Sequence, residues 1–483
     1  MIRTAAATFL FCSAALPVSA QTLGPEDVPD LLVSLLPSAA IQHGGVGALD
    51  DGTSVLRDLS LTFGPVSIQV GDVHFDERGS GFRVNFEERM PATIVERGRL
   101  EAHGRLRQRG FGVTVELSRP ERPVGQVLMA GSLLEMQMST HPDSSSRARD
   151  HASVSLEGIA GLASLSESHL DASVSLDLLE ARTRTSPDVS ATSASGRDIM
   201  IDVSLPRSAL EGGEDATAIA DLLERGAGIS IDQGRSSSSL VTDEGGFEIS
   251  NARSRFEALL ERGTLSWSQD SRDLTVDIVA PGFAIGGDGF SVPEAVFELH
   301  LPFFPGPEGD AARLRLSMPE IRIPEALLRE VDPLGQLPAE PFGLSLDLGM
   351  GLTHAMTLTD VITELRAGGM PNDIAFGYGR GLTPGVFSID NVLLSGFGMS
   401  ISIFGDMVIT DFGKMPEGSF DVVIEGLDRF VAALAESDLV DPAELAMGKL
   451  MLDMYFSRDE DDYRTARVLI EDGSVTVNGL PLP

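Results

Sequence analysis

Apolar side chains recur at every second position along most of this chain. Val66-Ser67-Ile68-Gln69-Val70, Phe82-Arg83-Val84-Asn85-Phe86 and Val113-Thr114-Val115-Glu116-Leu117 show the pattern early. It returns at 174–178, 274–278, 296–301, 344–348, 399–403 and 475–477. Successive side chains of a strand point to opposite faces, so each segment predicts a strand with one dry and one wet face. Asp472-Gly473 and Asn478-Gly479 suit two-residue hairpin turns, which need positive φ at both central positions. The expected fold is mainly β with a few short helices (α+β). It is a long antiparallel meander of hairpins forming curved sheets, with a helix pair packed near the C-terminus.

Helical spacing is confined to short stretches. Residues 25–36, 214–225 (with Ile219, Leu222 and Leu223 on one side) and 324–331 are predicted helices. Leu427, Phe430, Val431 and Leu434 form one stripe of a closing pair. Ala443, Ala446, Met447, Leu450, Met451 and Met454 form the other. Asp441 is the expected N-cap, with Pro442 at the first helical position and Glu444 in capping-box spacing. Methionine is adaptable enough for a binding surface, but this stripe is expected to fill core.

The N-terminus predicts export. Arg3 precedes an apolar run over residues 5–16, Pro17 breaks it, and Val18-Ser19-Ala20 offers a small-residue cleavage site after Ala20. The run is far short of the ~20 residues a spanning helix needs. Cys12, the sole cysteine, lies inside this leader, and Phe11 before it does not suit a lipid-attachment site. A cysteine-free mature chain excludes disulfides, zinc–thiolate sites and thiol catalysis.

Acidic residues outnumber basic ones 72 to 36, a formal charge of −36 that grows by one when Arg3 leaves. Such a surface repels nucleic acid and anionic headgroups, so neither is expected as an electrostatic partner. It also resembles the composition of salt-adapted proteins. No later apolar stretch reaches spanning length, so no transmembrane anchor is expected after cleavage. One Trp and three Tyr cannot form the aromatic girdles of an outer-membrane barrel, and the closing Leu482-Pro483 is not a barrel's terminal strand.

The expected organisation is a signal peptide over 1–20, a β-rich region over 21–212 and a second over 213–483. The latter holds the helix pair at 426–456 and a terminal hairpin. Residues 140–151 and 182–197 read as connectors, and 233–246 as a connector or an edge hairpin.

Chemical motifs are sparse. Eight histidines (43, 74, 103, 141, 151, 169, 300 and 354) show no ligand spacing, and His74 and His300 within strand patterns read as ordinary rather than catalytic. No G-x-S-x-G, S-x-x-K or H-E-x-x-H occurs. Gly377-Tyr378-Gly379-Arg380-Gly381 lacks the spacing of a phosphate loop and reads as a turn. Asp459-Glu460-Asp461-Asp462 lacks calcium-loop spacing and reads as solvated. No catalytic, cofactor-binding or metal residue is assigned, and no cofactor is expected.

The C-terminal third carries a resemblance. Asp332-Pro333-Leu334-Gly335-Gln336-Leu337-Pro338 precedes a Leu/Asp-alternating strand. The closing stretches run Val440-Asp441-Pro442-Ala443-Glu444-Leu445-Ala446-Met447-Gly448 and Ile470-Glu471-Asp472-Gly473-Ser474-Val475-Thr476-Val477-Asn478-Gly479. Together these resemble the exported alphaproteobacterial family Domain of Unknown Function 2125, most specifically over 332–483. The resemblance implies a periplasmic location and a strand-dominated fold, and transfers no catalytic residue. The layout is also similar to AsmA-like envelope proteins, whose curved sheets form apolar grooves associated with lipid handling. That step is analogy of fold.

The leading expectation is a soluble periplasmic, non-enzymatic envelope protein whose partner is a lipid or an envelope protein. Alternation permits an open groove or a closed two-layer core. The alternatives are a structural subunit of an envelope complex and, last, an enzyme acting on polysaccharide or peptidoglycan.

Overall fold

The computed structural model describes residues 39–482. It leaves out 50–52, 64–65, 79–80, 97–98, 119–123, 141–150, 186–189, 213–215, 243–244, 281–282, 285–288, 333–334, 336, 339, 370–380, 412–413, 437–439 and 460–461. The leader, the predicted helix over 25–36, most of the 377–381 turn and Glu460-Asp461 therefore lie outside the described residues. The chain is strand-dominated, as the alternation predicts, with six short helices among the described residues. It forms two compact units, 1–248 and 249–483. The division expected after residue 212 falls inside the first, because the strands at 227–233 and 236–242 both pair back onto Ser190–Pro206.

In the first unit, Val66–Arg78 splits its outer edge between two lanes. Its residues 66–68 pair with Arg89–Glu96 and residues 74–78 with Gly81–Asn85. The lanes continue through Arg99–Arg109 and Gly112–Ser118, and both end on Val124–Thr140. His151–Leu165, His169–Thr185 and Ser190–Pro206 then follow in antiparallel order. Inward residues of both lanes fill one core in which Leu56, Leu61, Val70 and Phe82 are fully buried. Phe75 meets Phe82 edge-on at 5.6 Å. Each such side chain contributes roughly 1.5–3 kcal/mol by leaving water.

The stretch 182–197, expected as a connector, is strand on both sides of residues 186–189. Its hydroxyls explain this: Ser193 and Ser195 bond Ser239 and Ser237 at 2.8 and 2.9 Å, so a polar sequence completes a ladder. The segment 233–246 takes the hairpin alternative. Helix α1 (Arg207–Gly212) follows Ser190–Pro206, and α2 (Ala216–Arg225) buries Ala220 and Leu223.

The second unit is a meander. Arg253–Glu261, Thr264–Ala280, Phe290–Pro302, Asp310–Ile321, Phe342–Thr353, Thr383–Gly396, Met399–Val408, Glu417–Glu425, Tyr463–Glu471 and Ser474–Val477 each pair antiparallel with the next. Asp472-Gly473 and Asn478-Gly479 have φ of 49° and 73°, and 49° and 80°, as the hairpin reading requires. Helix α3 (Glu325–Val331) is where predicted, whereas α4 (Leu358–Arg366) was not foreseen. Thr357 opens α4 with a full capping box to Asp360. The closing pair is α5 (Leu427–Glu436) and α6 (Pro442–Tyr455).

Candidate functional site

The register of the second unit places one apolar face along the whole meander. Phe297, Leu316, Leu346, Val392, Ile403 and Val422 are cross-strand partners in succession. Trp267, Leu299, Leu314, Leu348 and Ile389 form a neighbouring row, and Leu344, Leu394, Ile401 and Ile424 a third. The same alternation that fills the core of the first unit leaves the first of these rows only half-buried throughout. Apolar surface left wet costs about 25 cal/mol per Å².

Trp267 marks one part of the face. It is 38% exposed and stands edge-on to Phe256 and Phe297 at 5.8 and 5.5 Å. Aromatic pairs in this geometry hold one another in place, so the indole is a fixed wall.

Arg464 closes one end of the face. It partners Ile424 in register and shares its parity with Ala466 and Val468, so it points to the apolar side. Its side chain is 0% exposed. Nη2 donates to Asp428 of α5 at 2.8 Å, Nε to Asp453 of α6 at 3.1 Å and Nη1 to Asp462 at 3.3 Å. Lys449 and Arg458 also pair with Asp428, at 2.7 and 2.5 Å. Hydrogen bonds from Lys449 and then Arg464 outweigh burial and hold the Asp428 carboxyl well below the usual carboxylate range. A buried guanidinium thus ties both closing helices to the sheet.

The same network inverts α6. Lys449 and Asp453 are one turn apart and face Asp428 and Arg464. At 100° per residue the stripe of Met447, Leu450, Met451 and Met454 lies on the opposite side. All four are more than half exposed, Leu450 at 70%. The expectation that this stripe fills core is therefore corrected: ionic contacts, not apolar ones, set the helix's rotation. Asp441 does cap it, accepting from the Ala443 N–H at 2.7 Å.

Helix α5 is fixed by aromatic contacts. Its Phe430 stacks on Phe397 at 6.2 Å, and Phe397 meets Phe342 edge-on at 4.6 Å. Gly426, at φ 77°, lets the chain turn into α5, where an added Cβ would lie 2.1 Å from the Gly398 carbonyl oxygen.

The opposite, polar face holds a depression of about 240 Å³ beside Trp267. Its arginines are already matched: Arg313 makes a two-pronged pair with Asp347 at 2.9 and 2.7 Å, and Arg315 reaches Glu298 at 3.4 Å. The hydrogen bond from Arg313 lowers the pKa of Asp347. His300 is exposed there, with Nδ1 3.2 Å from the Ser266 hydroxyl, and His74 is half-buried in the first unit. Among the described residues no cluster of three or more His, Cys, Asp or Glu could hold a metal ion. No helix among them is long and apolar enough to cross a membrane.

Residues 404–483 match the model of the family DUF2125, described as an uncharacterized protein conserved in bacteria. This segment is similar to that family. The resemblance carried by the closing sequence is borne out there. No curated protein and no solved structure matches the chain. The matched segment contains α5, α6, Arg464 and its carboxylate partners. It thus covers the closed end of the apolar face and the last strands that carry it. Sequence reasoning missed Arg464, although an arginine at an inward position of Arg464-Thr465-Ala466-Arg467-Val468 was the available signal.

Proposed function

We propose that this is a non-enzymatic envelope protein, exported to the periplasm by its N-terminal leader, that holds the acyl chain of a lipid against the apolar face of the second unit. The supporting observation is the apolar row from Phe297 to Val422, half-buried throughout, which contrasts with the filled core of the first unit. A linear hydrocarbon suits such rows because it needs no hydrogen-bond partner and buries roughly 0.8 kcal/mol per methylene. The likeness in layout to AsmA-like proteins points the same way by analogy of fold.

The chain supplies its own reporter, since Trp267 is its one tryptophan and lies on that face. Titration with a long-chain fatty acid should shift its emission to the blue and saturate. A nitroxide-labelled acyl chain should quench it, and organic extraction of protein from its native host should yield lipid. An unchanged emission spectrum together with a lipid-free extract would exclude the reading.

A second reading, a subunit of an envelope complex, is favoured by the outward apolar ridge of α6. A photo-crosslinker at Leu450 in the native host should then give one discrete adduct, and its absence would remove this reading.

A further inference from the structure

The first unit carries a depression of about 400 Å³ on the face turned away from its core. Two rows of cross-strand partners line it. One runs Gln137, Ser153, Arg182, Ser193 and Ser239, the other Ser139, His151, Arg184, Ala191 and Val241. Alternation fixes which face this is: Met136 and Met138 are buried in the core, so Gln137 and Ser139 point the other way.

Its chemistry departs from that of the chain. Acidic residues number 72 in 483, so fourteen lining residues would hold about two by chance. Among the described residues the lining holds none. It holds two arginines, a histidine and a series of hydroxyls. Arg182 pairs with Glu180 outside the lining at 3.0 Å, and Arg184 makes no ion pair among the described residues. The hydroxyl of Ser139 bonds His151 Nδ1 at 2.8 Å, and those of Ser193 and Ser239 bond each other at 2.8 Å. Two carboxylates stand at its rim, Glu180 on Arg182 and Glu135 accepting from Gln137 Nε2 at 2.6 Å, while repulsion from more distant ones is screened beyond about 8 Å at physiological salt.

We propose that this depression binds the phosphate group of an anionic ligand. A guanidinium presents paired N–H donors that match two phosphate oxygens, and neighbouring hydroxyls complete the shell. Arg184 would make the first contact, and Arg182 would exchange Glu180 for the ligand. The site does not depend on the acyl-chain reading, and Trp267 lies outside its lining.

The test uses the full mature chain, with inorganic phosphate as one probe and phosphatidylglycerol vesicles as the other, each followed by calorimetry. Saturable phosphate binding should weaken about tenfold in Arg184→Gln and further in the Arg182→Gln/Arg184→Gln double variant, with no change in melting temperature. Glu180→Gln, which frees Arg182, should instead tighten it. Vesicle binding lost in the double variant would assign the phosphate to a lipid headgroup. Phosphate binding without vesicle binding would assign it to a soluble phosphorylated compound. No saturable response to either probe, or a response the double variant retains in full, overturns the proposal.

Discussion

At the scale of single residues the decisive group is Arg464, buried and held by three carboxylates. Removing one partner of such a network strands the others, which costs about 3–5 kcal/mol, whereas the intact network adds little over a well-packed apolar core. Arg464→Met should therefore lower the stability of the second unit by that amount in urea unfolding, and a change below about 1 kcal/mol would contradict the role given to it. Asp428 makes the effect pH-dependent. Its folded pKa is depressed, so its contribution is complete above the unfolded value of about 3.9 and is lost as acid protonates it below that. Asp428→Asn should remove this part of the slope of stability between about pH 4 and pH 2. Gly426→Ala should cost about 1–3 kcal/mol, since φ 77° and the nearby Gly398 carbonyl both resist a side chain. Arg464 stands in the sequence as an exception to its strand's alternation, but which carboxylates it meets depends on how the helices return, and no local pattern encodes that.

At the scale of elements, most strands and turns were legible because period two and paired positive-φ residues act within a few positions of each other. Two kinds of element were not. Ser190–Pro206 is rich in Ser and Thr, which reads as loop, yet its hydroxyls pair across to the 236–242 strand, a partner more than 40 residues away along the chain. Helix α6 has a correct cap and correct periodicity, but its burial was assigned to the wrong side. An apolar stripe indicates burial only when nothing stronger orients the helix, and here Lys449 and Asp453 do. Replacing Met447 and Leu450 by Gln should accordingly change unfolding free energy by less than about 0.5 kcal/mol, as for exposed positions generally. A loss of 2–5 kcal/mol, the range for buried apolar side chains, would show that the ridge is covered in the folded monomer.

At the scale of the whole molecule, two units built on one sequence rule reach different ends. Alternation specifies a dry face but not what dries it. In the first unit the two lanes between Val66–Arg78 and Val124–Thr140 supply a second set of inward side chains, and the core closes. In the second, the strands from Phe290–Pro302 to Glu417–Glu425 follow one another without such branching, and the row from Phe297 to Val422 stays half-buried. The choice between filled and open depends on long-range pairing, so the sequence allowed both. It has a measurable consequence, because local opening tracks the density of buried apolar contacts. In hydrogen exchange, amides of His169–Thr185 should be protected longer than those of Phe342–Thr353, although both lie in interior strands. Adding a long-chain fatty acid should raise protection in Phe342–Thr353 and leave His169–Thr185 unchanged, since only a ligand that binds the folded face stabilises it. Equal protection of the two strands without ligand would mean that the second unit's face is as well covered as the first unit's core, and the acyl-chain reading would lose its physical basis.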